Sequence, residues 1–249
     1  MRHRVHKGFT LVEVLVSIGV VALLIGILVP ALAKSMDKSK ELESSVKLRS
    51  LGQVFEMYAG RSDGMYPAPV PGKIYTTYAP DAGTTISHWQ AAYQWHWLLS
   101  ETHPWWEYQS MYLAPGAQRD DTTGPVVTLP SPSFDYSASF LGHPSIWSGR
   151  EIGPDEWPRL ERGVTQSMVR FPASKGMMWD VEMPYLRTPK RHDDLLNLRE
   201  KTPVLFADQH VASRVPAEAT PAVFNLAPFA SKPVQNIHNT PDGVFGMDY

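Results

Sequence analysis

Asp208 and His210 stand two positions apart, so in an extended strand their side chains face the same side. A carboxylate beside an imidazole can bind a metal or move a proton. His192, Asp193 and Asp194 supply further groups of the same kind. The plainer reading takes precedence: Asp208 forms a turn and His210 sits on a strand surface. Around these residues the chain has no H-E-x-x-H, no G-x-S-x-G, no phosphate-binding glycine loop and no dinucleotide fingerprint. Ser145 and Ser148 have no motif context. There is no cysteine, which excludes thiolate nucleophiles, thiolate metal sites and disulfides. No catalytic set assembles, and no enzymatic activity is expected.

One other carboxylate is conspicuous for its surroundings. From Phe9 to Ala33 the chain is apolar except for Glu13. That run of about 25 residues is long enough to span a bilayer. A carboxylate near the end of a span is costly and marks function. Arg2, Arg4 and Lys7 precede the run and place the N-terminus on the cytoplasmic side. An ordinary secretory signal is the competing reading, with Ala31-x-Ala33 as its cleavage site. It leaves Glu13 in the apolar core without a purpose.

Gly8-Phe9, then Glu13, then the uninterrupted apolar run resembles the class III signal peptide of type IV pilins and type II secretion pseudopilins. In that family a prepilin peptidase cuts between glycine and phenylalanine and methylates the new amino terminus. The resemblance implies cleavage between Gly8 and Phe9, N-methylation of Phe9 and an assembly role for Glu13. Pro30 matches the proline that commonly bends the long pilin helix, and it predicts a kink here. The implied partners are the prepilin peptidase, other pilin-like subunits, the inner-membrane assembly platform and the membrane itself.

Several elements must carry these residues. Lys34 to Lys47 mixes both charges, as an exposed helix does. Leu48, Leu51, Phe55 and Tyr58 follow at spacings that predict a core-facing helical stripe, ended by Gly60. One helix from Phe9 to Ala59 would be about 75 Å long. Trp89, Tyr93 and Trp97 predict a short helix over His88 to Glu101. Strand-like runs follow at Val126–Leu129, Phe134–Phe140, Gly163–Phe171, Lys175–Val181, Pro203–Ala207 and His210–Val215. Phe134 to Phe140 alternates as a half-buried strand. Strands without long intervening helices predict an antiparallel sheet packed on the second half of the long helix. The expected class is α+β: leader 1–8, membrane-spanning assembly helix 9–33, and an extracytoplasmic globular domain 34–249.

Val204-Leu205-Phe206-Ala207-Asp208-Gln209-His210-Val211 resembles a C-terminal phrase of prepilin-type cleavage/methylation proteins, which carry glycine where this chain has Gln209. A tight Asp-Gly turn uses glycine's freedom at positive φ, so a different turn is expected. His192 is also farther upstream than in that group, and a loop over Leu195–Lys201 must absorb the difference. Asp242, Gly243 and Asp248 resemble the acidic loop that binds calcium in the major pseudopilin of type II secretion. Calcium takes six or more oxygens, and scattered aspartates supply too few. No cofactor is therefore expected, with Asp242, Asp248 and Asp208 the candidates if calcium binds.

The 249 residues carry a formal net charge of −2. Loss of the leader leaves 20 basic against 25 acidic residues, so no basic field invites nucleic acid. With 22 prolines, 17 glycines and 8 tryptophans, the domain should be loop-rich around a real core. The tryptophans suit core or subunit contacts, with glycan stacking as the alternative. The function expected is a structural pilin-like or pseudopilin subunit. The alternative is a membrane-tethered module binding an exoprotein or glycan through the Trp-rich region.

Overall fold

The computed structural model describes residues 10–77, 79–117, 131–185, 199–224 and 235–249. Gly8, Phe9, Val126–Leu129, His192 to Asp194 and most of the Leu195–Lys201 loop lie outside them. Two units part between Lys40 and Glu41.

The first unit holds the beginning of helix α1, Leu11–Arg61. Leucine, isoleucine and valine are exposed throughout Leu11 to Leu32, and the helix is long and apolar enough to cross a membrane. It continues through Pro30, whose missing N–H leaves the Gly26 carbonyl without its usual intrahelical donor.

In the second unit, α1 buries Ser44, Leu48, Leu51, Gly52, Val54, Phe55 and Ala59. Leu48, Leu51 and Phe55 form the predicted stripe, with Tyr58 half-buried at its end. Beyond it lie a two-residue hairpin pair, β1 (Tyr75–Thr76) and β2 (Gly83–Thr84), then α2 (Ala91–Gln94) and α3 (Trp105–Tyr112). The main sheet contains β3 (Phe134–Tyr136), β4 (Gly176–Asp180), β5 (Thr202–Phe206) and β6 (Val211–Arg214). A short helix, α4 (Trp157–Leu160), precedes β4. The strands pair antiparallel in the order β3-β4-β5-β6. The architecture is α+β, a long apolar helix followed by an antiparallel sheet.

Strand alternation divides the core. Met178 and Leu205 join Leu48, Leu51 and Phe55 in one cluster. Trp179, Val204 and Phe206 join Ile237, Ala219 and Tyr249 in the other. A register shift between Gly176 and Met178 lets Met177 enter the first cluster with Met178.

Three local expectations are corrected. His88 to Glu101 is not one helix: 3-10 turns at His88–Gln90 and Trp95–Leu99 flank α2, and Gln94 leaves helical geometry at φ −118° and ψ 29°. Every residue from Trp95 to Leu99 is buried, so no single helical face has to collect them. Phe134 to Phe140 is a strand only to Tyr136, and Ala138–Phe140 is a 3-10 turn. Its polar residues are not solvated. Asp135, Ser137 and Ser139 are buried, and Ser137 Oγ donates to the Ile237 carbonyl at 2.6 Å. Gly163 to Phe171 forms one bridge, Met65 with Thr165, and a 3-10 turn at Gln166–Met168.

Candidate functional site

Helix α1 opens on a reciprocal cap. Thr10 Oγ1 accepts from the Glu13 backbone N–H at 3.2 Å, and Glu13 Oε2 accepts from both the Thr10 N–H and the Thr10 hydroxyl at 2.8 Å. This is the Thr-x-x-Glu capping box, which satisfies donors that a helix start leaves open. Glu13 thus has a local partner as well as its position in the apolar run. The spacing Thr10-Leu11-Val12-Glu13 is a capping-box signal in the sequence itself.

The hairpin between β5 and β6 turns without glycine. Gln209 N–H donates to the Phe206 carbonyl and Phe206 N–H to the His210 carbonyl, both at 2.9 Å. Gln209 takes φ 74°, the left-handed region. The turn is thus a different one from the two-residue Asp-Gly kind, as expected: Ala207, Asp208 and Gln209 form a three-residue loop closed by Phe206 and His210, with Gln209 alone of the three in the left-handed region. Gln209 Nε2 donates to Glu56 Oε1 at 3.0 Å, while Gln166 Nε2 donates to Glu56 Oε2. Glu56 ties α1 to the hairpin and to the segment after β3.

On the same turn, His210 Nδ1 and Asp208 Oδ1 meet at 2.5 Å, and the His210 ring stacks on Phe206 at 4.3 Å. The two side chains meet through the turn and not through strand alternation, and they form a surface pair. Asp242 is exposed, at φ 58° before a turn at Gly243–Phe245. Asp248 lies fully buried against Lys175, with Nζ 3.1 Å from Oδ2. Among the described residues, no three or more histidines, aspartates or glutamates gather where a metal could sit. Asp248 meets an ammonium, and among the described residues Asp208 and Asp242 join no such group.

The sequence carried no signal for Asp180. It accepts from Ser44 Oγ at 2.6 Å, Tyr185 OH at 2.9 Å, Met183 N–H at 2.9 Å and Glu182 N–H at 3.1 Å. Burial pushes its carboxyl pKa up, and these four donors oppose the shift. Ser44 belongs to α1 and Asp180 to β4, so the pair fastens helix to sheet.

The Trp-rich interval builds core. Trp89, Trp95 and Trp97 are buried, and Trp95 Nε1 donates to the Phe134 carbonyl at 2.7 Å. Trp105 stacks on Tyr112 with 5.6 Å between centroids, beside a buried His96. Within the described residues these rings face one another more than solvent, which does not favour a glycan platform.

Residues 3–29 match the family model for the prokaryotic N-terminal methylation motif. The match contains Gly8, Phe9 and Glu13, ends one residue before Pro30, and leaves the C-terminal phrase outside. No curated protein and no solved structure matches the chain.

Proposed function

We propose that the chain is a structural, non-enzymatic pilin-like subunit, made as a membrane-anchored precursor and assembled into a filament of the type II secretion pseudopilus or type IV pilus kind. The observation that carries the reading is a coincidence of place. The methylation motif over residues 3–29 overlaps the start of a helix long and apolar enough to cross a membrane. On this reading the protein sits in the inner membrane with its N-terminus in the cytoplasm and its globular part outside.

A prepilin peptidase cleaves after Gly8 and methylates the Phe9 amine. Before assembly, Thr10 satisfies the Glu13 carboxylate. In the filament, the Phe9 ammonium of a neighbouring subunit supplies a full opposite charge, which makes a carboxylate in hydrocarbon tolerable. Apolar helices pack together, Pro30 loosens the helix, and the assembly platform extends the filament.

Mass spectrometry of the mature N-terminus tests this directly. In cells with a prepilin peptidase the expected species begins at N-methylated Phe9, and Gly8→Ala suppresses it. A mature chain starting after Ala33 would remove the assembly helix and overturn the proposal.

A further inference from the structure

Lys175 carries a charge into a site with no solvent. Its side chain is wholly buried, as is that of Asp248, 3.1 Å away. Nζ also donates to Ser139 Oγ at 3.2 Å and to Thr240 Oγ1. The Asp248 carboxylate is satisfied in turn: Gly176 N–H donates to Oδ2 at 2.8 Å and the Thr240 hydroxyl to Oδ1 at 2.5 Å. Burial lowers the Lys175 pKa, and Asp248 opposes that shift. An ammonium in such a place is strongly unfavourable once its partner is removed, whereas a well-packed apolar pair of similar size is tolerated.

The partner arrives late in the chain, 73 positions after Lys175. It comes on residues 235–249, which are held against the same strand and turns. Asp248 N–H donates to the Ser174 carbonyl at 2.8 Å, Ser139 Oγ to the His238 carbonyl at 3.0 Å, and Asp242 N–H to the Trp147 carbonyl at 3.1 Å. Ile237, a buried β-branched residue, is held at φ 69°, where such a side chain is strained. Strain of this kind persists only where surrounding contacts over-determine it. Space for the approach comes from Gly176, where a Cβ would stand 2.9 Å from Ile237 Cγ2 and 3.4 Å from Asp248 Oδ2. Ile237 and Tyr249 then complete the apolar cluster over Trp179, Val204 and Phe206.

We propose that Lys175 and Asp248 form a closing lock: the buried ammonium holds the domain open until Asp248 delivers the matching carboxylate. Folding to the compact state waits for residue 248, and a chain still being made or moved stays extended. The benefit during transport rests on the membrane-anchored reading above; the lock itself does not.

The test uses the full chain in detergent micelles and limited proteolysis of the domain beginning near Glu41. Asp248→Leu should make that domain at least about tenfold more protease-sensitive, because the ammonium is stranded. Adding Lys175→Met should restore resistance to within about threefold of the native chain. Native-like resistance of Asp248→Leu would overturn the lock. So would a double variant as sensitive as the single one, since the loss would then come from packing. Cleavage between Gly8 and Phe9, read in cells with a prepilin peptidase, is a separate outcome: its failure would sink the pilin-like reading and leave the lock standing.

Discussion

A Cβ built on Gly52 would stand 2.2 Å from Gln209 Oε1 and 3.1 Å from both δ-carbons of Leu205. Helix α1 therefore approaches the β5–β6 hairpin through the missing side chain at residue 52. Gln209 makes use of that space. It accepts a left-handed φ of 74° and bonds Glu56, one helical turn beyond Gly52, at 3.0 Å.

Gly52→Ala should gain about 1 kcal/mol of helix propensity and lose more by displacing Gln209 and crowding Leu205, an overpacking cost of about 1–3 kcal/mol. The sharper expectation is the coupling. In a Gln209→Gly background the alanine should be less damaging by about 1 kcal/mol, measured by denaturant unfolding of all four chains. Additive effects would show that α1 and the hairpin do not meet at these two residues.

His96 should make the domain acid-sensitive. It is buried among Trp97, Trp105 and Tyr112, and among the described residues neither ring nitrogen has a hydrogen-bond partner. Burial lowers its pKa from 6.5 to about 3. The unfolded chain thus binds the proton first. The neutral-His contribution is complete above pH 6.5 and is lost as pH falls toward 3, by at most about 1.4 kcal/mol per pH unit. Asp180, with its pKa raised, acts in the opposite sense, so the informative quantity is a difference between chains. His96→Phe should unfold with a weaker pH dependence between pH 6.5 and 4 and gain about 1–2 kcal/mol at neutral pH by removing unsatisfied polar atoms. Parallel stability–pH curves would count against a neutral buried imidazole.

Glu13 caps the start of α1, and under the proposed function it also carries the charge for assembly. Glutamine serves the N3 position of a capping box as well as glutamate. Glu13→Gln should therefore preserve the start of α1 and cleavage after Gly8, while incorporation into filaments falls at least about tenfold. Thr10→Val should do the reverse, weakening the cap by about 1 kcal/mol with the charge retained. Comparing the mature fraction with the filament fraction for each variant separates the roles. Normal assembly of Glu13→Gln would exclude the charge-pairing mechanism, and an uncleaved precursor would assign Glu13 to peptidase recognition.

The features legible in the sequence were those set by short-range pattern. Gly8-Phe9 and Glu13 before an apolar run, the helical stripe of Leu48, Leu51 and Phe55, and the last three strands all follow from spacing within a few residues. Such patterns are local consequences of helix and strand periodicity, and they need no knowledge of what lies opposite. Where both faces of a segment are buried, periodicity loses its meaning. Phe134 to Phe140 alternated as if Asp135, Ser137 and Ser139 met water, yet residues 235–249 cover that side. The ion pair of Lys175 with Asp248, the bond from Ser44 to Asp180 and the fit of Gln209 into the gap at Gly52 join residues 73 to 157 positions apart. A charge or a polar group does not announce its partner at that distance; only the packed structure, by excluding water, decides which groups must satisfy one another.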